Sequence, residues 1–82
     1  MLKKMPVTGL RAERVARQRL VRVSTRGLAR VDVRIDGVPQ PSFVPRPGKT
    51  DDLPYPAGAK QMELVGVAGG QVVQRRLVPL GG

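Results

Sequence analysis

The side chains best equipped for chemistry in this 82-residue chain are guanidinium groups. Arg11, Arg14, Arg17, Arg19, Arg22, Arg26 and Arg30 fall close together, Lys3 and Lys4 precede them, and Glu13 is the one acid in the same stretch. Residues 1–30 carry a net charge of +8 and residues 31–82 only +1, so nearly all of the chain's +9 lies in its first third. A guanidinium takes a carboxylate or phosphate through two parallel N–H bonds, which suits such a cluster to docking on an acidic surface. Nucleic acid, an anionic membrane and an acidic protein shell all fit that charge.

Catalytic chemistry finds little support. The chain has no Cys and no His, which excludes disulfides, thiol nucleophiles, thiolate metal sites and the commonest general base. Gly48-Lys49-Thr50 has the ending of a phosphate loop, but Phe43 stands where the first Gly belongs, and Asp51-Asp52-Leu53-Pro54 does not continue as a helix. Asp51 and Asp52 are adjacent carboxylates without the spaced oxygen ligands that calcium requires. Ser24 and Ser42 have no His to activate them and sit in no nucleophile elbow. The expectation is a non-enzyme with no cofactor, no metal and no small-molecule substrate.

The elements that must position the arginines are strands. In LARVDVRIDG, Ala29, Val31, Val33 and Ile35 alternate with Arg30, Asp32, Arg34 and Asp36, the signature of a half-buried strand. Val21 and Val23 alternate in the same way before Thr25-Arg26-Gly27, so the two segments are expected to pair as a hairpin. Asp36-Gly37 is a tight-turn dipeptide, and Val38 begins a new extended piece. Residues 38–58 hold six of the eight prolines, which confines them to edge strands and turns, with weak strands near 42–44 and 52–55. A second hairpin follows: Met62, Leu64 and Gly66 face one way, Gly69-Gly70 turns, and VVQRRLVPL returns. Val65 and Val67 make the opposite face apolar too, so that strand should be covered on both sides, by the basic N-terminal segment or by a partner. Val65, Val67, Val78 and Leu80 are therefore candidates for an apolar contact stripe, with packing against the first strand as the alternative.

Residues 9–19 admit two readings. Ala12, Val15, Ala16, Leu20 and Val23 fall on a helical stripe that Thr8 could cap. The run passes into LVRVST without a stop signal, which favours an extended first strand or arm. The chain divides accordingly into a basic arm or first strand, 1–19, and a sandwich, 20–82. No run of 18 apolar residues provides a membrane-spanning helix, and MLKKMPVTGL has no apolar core of a secretory signal.

Taken together, RVDVRIDG (30–37), the Pro-rich excursion and PAGAKQMELVGVAGGQVV (56–73) resemble the immunoglobulin-like or fibronectin type III-like domains of bacterial and phage proteins. The match covers about residues 20–80 and departs from the antibody pattern in lacking its cysteine pair and Trp. It implies an all-β fold: a small antiparallel immunoglobulin-like β-sandwich of about six or seven short strands, with a basic N-terminal strand or arm. It also implies a role in adhesion or assembly, as in capsid decoration or in tail and head proteins of virions. The expected partner is then an acidic capsid or tail protein in a multi-copy assembly, with the chain made in the host cytoplasm and carried in the virion. Nucleic acid remains an alternative partner, without stacking aromatics and so sequence-blind. A third reading is a small cytoplasmic regulator that binds an acidic host protein by strand addition.

Overall fold

The computed structural model describes residues 7–46 and 48–81. Lys3 and Lys4 lie outside the described residues. Seven strands follow one another: β1 (Gly9–Val15), β2 (Leu20–Arg26), β3 (Arg30–Ile35), β4 (Val38–Phe43), β5 (Thr50–Pro54), β6 (Gln61–Ala68) and β7 (Gln71–Pro79). They form two antiparallel sheets, ordered β1-β2-β5 and β4-β3-β6-β7, packed as a small all-β sandwich.

Alternation decides which side chains meet between the sheets. Leu10, Val21 and Val23 come inward from the three-stranded sheet, and Val31, Val33, Met62, Leu64 and Val78 from the four-stranded one. Ala59 and Leu80 close one end, and Phe43, Leu53 and Tyr55 pack around the rim. With one Phe, one Tyr and no Trp, this core is aliphatic, each buried Val or Leu contributing roughly 1.5–3 kcal/mol.

Two turns form as their sequences require. Asp36 and Gly37 both take positive φ, 51° and 82°, and link β3 to β4; Gly69 and Gly70, at 60° and 75°, link β6 to β7. These are the backbone angles whose twist matches a two-residue hairpin. The prolines fall as expected, with Pro39 and Pro41 on edge strand β4 and Pro54 at the end of edge strand β5.

The expected hairpin between residues 20–24 and 29–35 does not form. β2 and β3 belong to different sheets, and the chain crosses between them at Gly27, where φ is 69°. Alternation reports which face is apolar but not which sheet a strand joins, and Val21 and Val31 enter one core from different sheets rather than pairing along a ladder. Ala29, grouped with the inward set in sequence, precedes β3 and is exposed.

Residues 9–15 adopt the extended form, and β1 pairs with β2 over its whole length, from Gly9 opposite Arg26 to Val15 opposite Leu20. A short 3-10 turn at Ala16–Gln18 joins the two strands, so a division at residue 19 falls inside a hairpin. The helical stripe loses because Leu10 and Ala12 bury on the sandwich side while their neighbours stay outside, a period of two.

Candidate cationic docking surface

The fold separates the basic residues that lie close in sequence. Arg11, Arg22 and Arg26 share the outer face of the three-stranded sheet, because their strands place Leu10, Val21 and Val23 inward. Arg17 and Arg19 sit in the β1–β2 turn. Arg14 lies opposite buried Val21, and its Nη1 donates to the Leu80 carbonyl oxygen at 2.8 Å. Arg30 belongs to β3, on the other sheet.

Ion pairing divides them again. Arg22 Nε lies 3.1 Å from Asp52 Oδ1, and Arg30 Nε lies 2.9 Å from Asp32 Oδ1. The bond from Arg22 to Asp52, and the charge of that carboxylate, hold the guanidinium proton more tightly than in a free arginine. The Ser42 hydroxyl donates to Asp32 at 2.7 Å and, with Arg30, holds that carboxyl below the ordinary carboxylate value. Arg34 and Arg75 share Glu63 at 3.7 and 3.4 Å, and Arg46 pairs with Asp51 at 3.3 Å. Arg11, Arg17, Arg19 and Arg26 are exposed and carry no ion pair among the described residues.

These four arginines occupy the two ends of one hairpin. At one end Arg11 and Arg26 line a shallow groove with Thr8, Gly9, Ser24 and Thr25. At the other are Arg17 and Arg19. A seven-residue strand separates the ends by about 20 Å, beyond the Debye length of about 8 Å at physiological salt, so each end acts as its own contact point. Between them the register aligns Glu13, Arg22 and Asp52 across the sheet, a row of alternating sign.

The apolar candidates also divide. Val78 and Leu80 belong to the core and present no contact surface. The physical reason is strand parity: Val78 lies opposite Met62, an inward residue. Val65 and Val67 are 7% and 6% exposed, yet they stand outside the core cluster, on the opposite face of β6 from Leu64. Neither packs against the first strand in a ladder; in register they lie beside Asp32 and Arg75, and beside Arg30 and Val72. Sequence reading passed over Val72, Val73 and Leu77, exposed on β7 by 52%, 41% and 60%. The signal for Val73 and Leu77 was present in VVQRRLVPL, where they have the parity opposite to Val78; Val72 shares the parity of Val78 and comes to lie beside Val67 through a register shift in the β6–β7 ladder.

Among the described residues no three acidic side chains gather as a metal site, and no helix is long and apolar enough to cross a membrane. The groups able to act here are hydrogen-bonding cations, hydroxyls and a small apolar patch. Comparison with protein-family models, with characterised proteins and with solved structures finds no match for this chain.

Proposed function

We propose that this chain is a non-catalytic structural protein that docks the β1–β2 hairpin on an acidic protein surface, within a multi-copy assembly of the kind formed by phage capsids and tails. One observation carries this reading: Arg11, Arg17, Arg19 and Arg26 are exposed without an ion-pair partner among the described residues, while Arg22, Arg30, Arg34, Arg46 and Arg75 are paired. Arg14 and Arg76 also lack an ion pair, but their guanidinium groups are bonded to the Leu80 and Leu10 carbonyls, so the four arginines at the ends of the hairpin are the ones left with full capacity to bind carboxylates. The strand order, three strands against four, is compatible with the likeness to immunoglobulin-like and fibronectin type III-like domains; the assembly role and the place in the virion are what that likeness would imply by analogy.

The row of Glu13, Arg22 and Asp52 favours a protein over nucleic acid as partner. A phosphodiester strand laid along the sheet would have to pass two carboxylates, whereas a protein surface can meet alternating charge with its own. Strand addition finds poor edges at β4, which carries Pro39 and Pro41, and at β5, which is five residues long.

The test is co-sedimentation with assembled acidic shells at moderate salt. The parent chain should pellet with the particles and be released as salt rises, and a variant with Arg11, Arg17, Arg19 and Arg26 all changed to Ser should stay in the supernatant. Filter binding of duplex DNA at low salt, stronger than shell binding, would move the reading to nucleic acid.

A further inference from the structure

At the turn end of the sandwich, the β1–β2 turn, the segment after β5 and the residues after β7 surround an open hollow of about 650 Å³. That volume lies within the ordinary range for small-ligand sites, roughly 300–1,000 Å³. Among the described residues, Arg14, Arg19 and Lys60 line it and no carboxylate does; Tyr55, Leu80 and the small residues around Gly58 form the rest. The groove along the β1 edge differs in this respect, because Glu13 lines it beside Arg11 and Arg22.

Each of these residues is tied to the frame, Arg14 by its side chain and Arg19 and Lys60 by their backbone, and none forms an ion pair among the described residues. Arg14 spends one of its five N–H donors on the Leu80 carbonyl, which anchors the guanidinium and leaves its charge uncompensated. Lys60 is fixed through its backbone: its N–H donates to the Asp36 carboxylate at 3.0 Å, and its carbonyl accepts from Leu80 and Gly81. Asp36 itself does not line the hollow.

Arg19 supplies an independent observation. Its φ of 49° and ψ of 54° are left-handed, a conformation that penalises any side chain with a Cβ and that glycine adopts freely. Its carbonyl accepts the Tyr55 N–H at 3.0 Å, which fixes the backbone there. No hydrogen bond or ion pair of its side chain is formed within the described residues to explain an arginine at this place. A strained non-glycine residue at the rim of a cationic hollow points to a task for its side chain.

We infer that this hollow binds a phosphoryl dianion, either free phosphate or the phosphate of a small ester. Three cationic side chains with no acid among them match a group that carries close to two negative charges near pH 7 and offers three strong acceptor oxygens. Tyr55 and the low wall at Ala57, Gly58 and Ala59 leave room beside the cations for the organic part of an ester. This ligand is bound and not turned over; the hollow shares Arg19 with the docking surface, but the inference does not rest on the docking reading.

The experiment is a titration of the full chain followed by amide NMR, with inorganic phosphate in one arm and phenyl phosphate in the other, against sodium chloride at matched ionic strength. Saturable shifts at Tyr55, Gly58, Ala59 and Lys60 are expected, growing from pH 5 to pH 7.5 as the dianion forms. Phenyl phosphate binding more tightly than phosphate identifies an ester as the ligand; equal affinity identifies the free ion. Arg19→Gly and Lys60→Gln should each weaken binding at least about tenfold. Arg19→Gly keeps the test free of folding artefacts, because glycine suits the backbone there better than arginine does. Arg17→Ser should weaken docking on acidic shells and leave phosphate binding unchanged, which separates the two readings. Shifts no larger than those from chloride, or an Arg19→Gly chain that binds phosphate like the parent, would overturn the site.

Discussion

Arg76 on the last strand donates its Nε–H to the carbonyl oxygen of Leu10 on the first strand, at 3.0 Å. β1 and β7 are edge strands of different sheets, and no backbone ladder joins them. Side chains close the seam instead: Gln74 Nε2 reaches the Thr8 carbonyl at 3.4 Å, and Arg14 Nη1 reaches the Leu80 carbonyl at 2.8 Å. Carbonyls of an open edge that would otherwise invite a foreign strand are thereby occupied.

Arg76→Leu removes a charge-assisted donor from that seam. The expected loss is about 1–2 kcal/mol in urea unfolding, with faster hydrogen exchange at the amides of β1. An unchanged midpoint would mean that water replaces the guanidinium without cost and that the seam is held by packing alone.

Among the described residues two that are not glycine have positive φ, Arg19 at 49° and Asp36 at 51°, and substitution by glycine should act on them with opposite sign. At Arg19 nothing but strain is removed, and the chain gains about 1 kcal/mol. At Asp36 the same relief is outweighed by loss of a carboxylate that accepts the backbone N–H groups of Lys60 and Gln61, both at 3.0 Å. Arg19→Gly should therefore raise the melting temperature and Asp36→Gly lower it. Equal shifts from both would show that backbone strain alone governs these turns.

Gly66 is glycine for reasons of space. A Cβ built there would lie 2.8 Å from Leu28 Cδ1 and 3.4 Å from Gln74 Cβ. The clash falls on the far end of a leucine that can rotate, so Gly66→Ala should cost only about 1–2 kcal/mol. In a Leu28→Ala background the added methyl should cost less, a positive coupling readable from a double-mutant cycle. Strict additivity would place the strain elsewhere.

Ser42 sets the acid response of Asp32. Its hydroxyl is the largest influence lowering that carboxyl, Arg30 adds to it, and desolvation opposes both. A depressed folded-state value stabilises the fold above the unfolded value of about 3.9, and that contribution is lost as pH falls through the lower, folded value. Ser42→Ala should move the Asp32 titration upward, toward the ordinary range, in carboxyl-detected NMR. With 38% of the Asp32 side chain exposed, solvent screens the pair, and the change in global stability should be small. A titration left in place would assign the depression to Arg30.

Much of this architecture is written in local pattern. The alternation of Val31 and Val33 with Asp32 and Arg34, and the Asp36-Gly37 and Gly69-Gly70 turns, yield β3, the β3–β4 turn and the β6–β7 hairpin directly. The partition into sheets is not local: β2 and β3 carry the same pattern because both face one core from opposite sides. The seam was legible in principle, since Gln74 and Arg76 occupy inward parity on β7 with Val78, and polar side chains there signal a neighbouring edge. The basic cluster was legible as composition only. Which arginines stay unpaired depends on Asp52 lying opposite Arg22 and on Asp32 lying beside Arg30, relations fixed by register and folding.

Docking by the unpaired arginines makes a prediction that total charge does not. Arg11→Gln with Arg26→Gln removes two cations from one end of the hairpin, neither of which forms an ion pair among the described residues. Arg30→Gln with Arg34→Gln removes the same charge from the other sheet, from residues already paired with Asp32 and Glu63. If long-range attraction to a basic chain were sufficient, the two variants would bind an acidic shell equally. Exposed charges farther apart than about 8 Å are screened at physiological salt, so contact geometry should dominate. The first pair should lose roughly tenfold in affinity, with a shallower salt dependence, and the second should stay within about threefold of the parent. Equal losses in a sedimentation assay would return the arginines to a role in solubility alone.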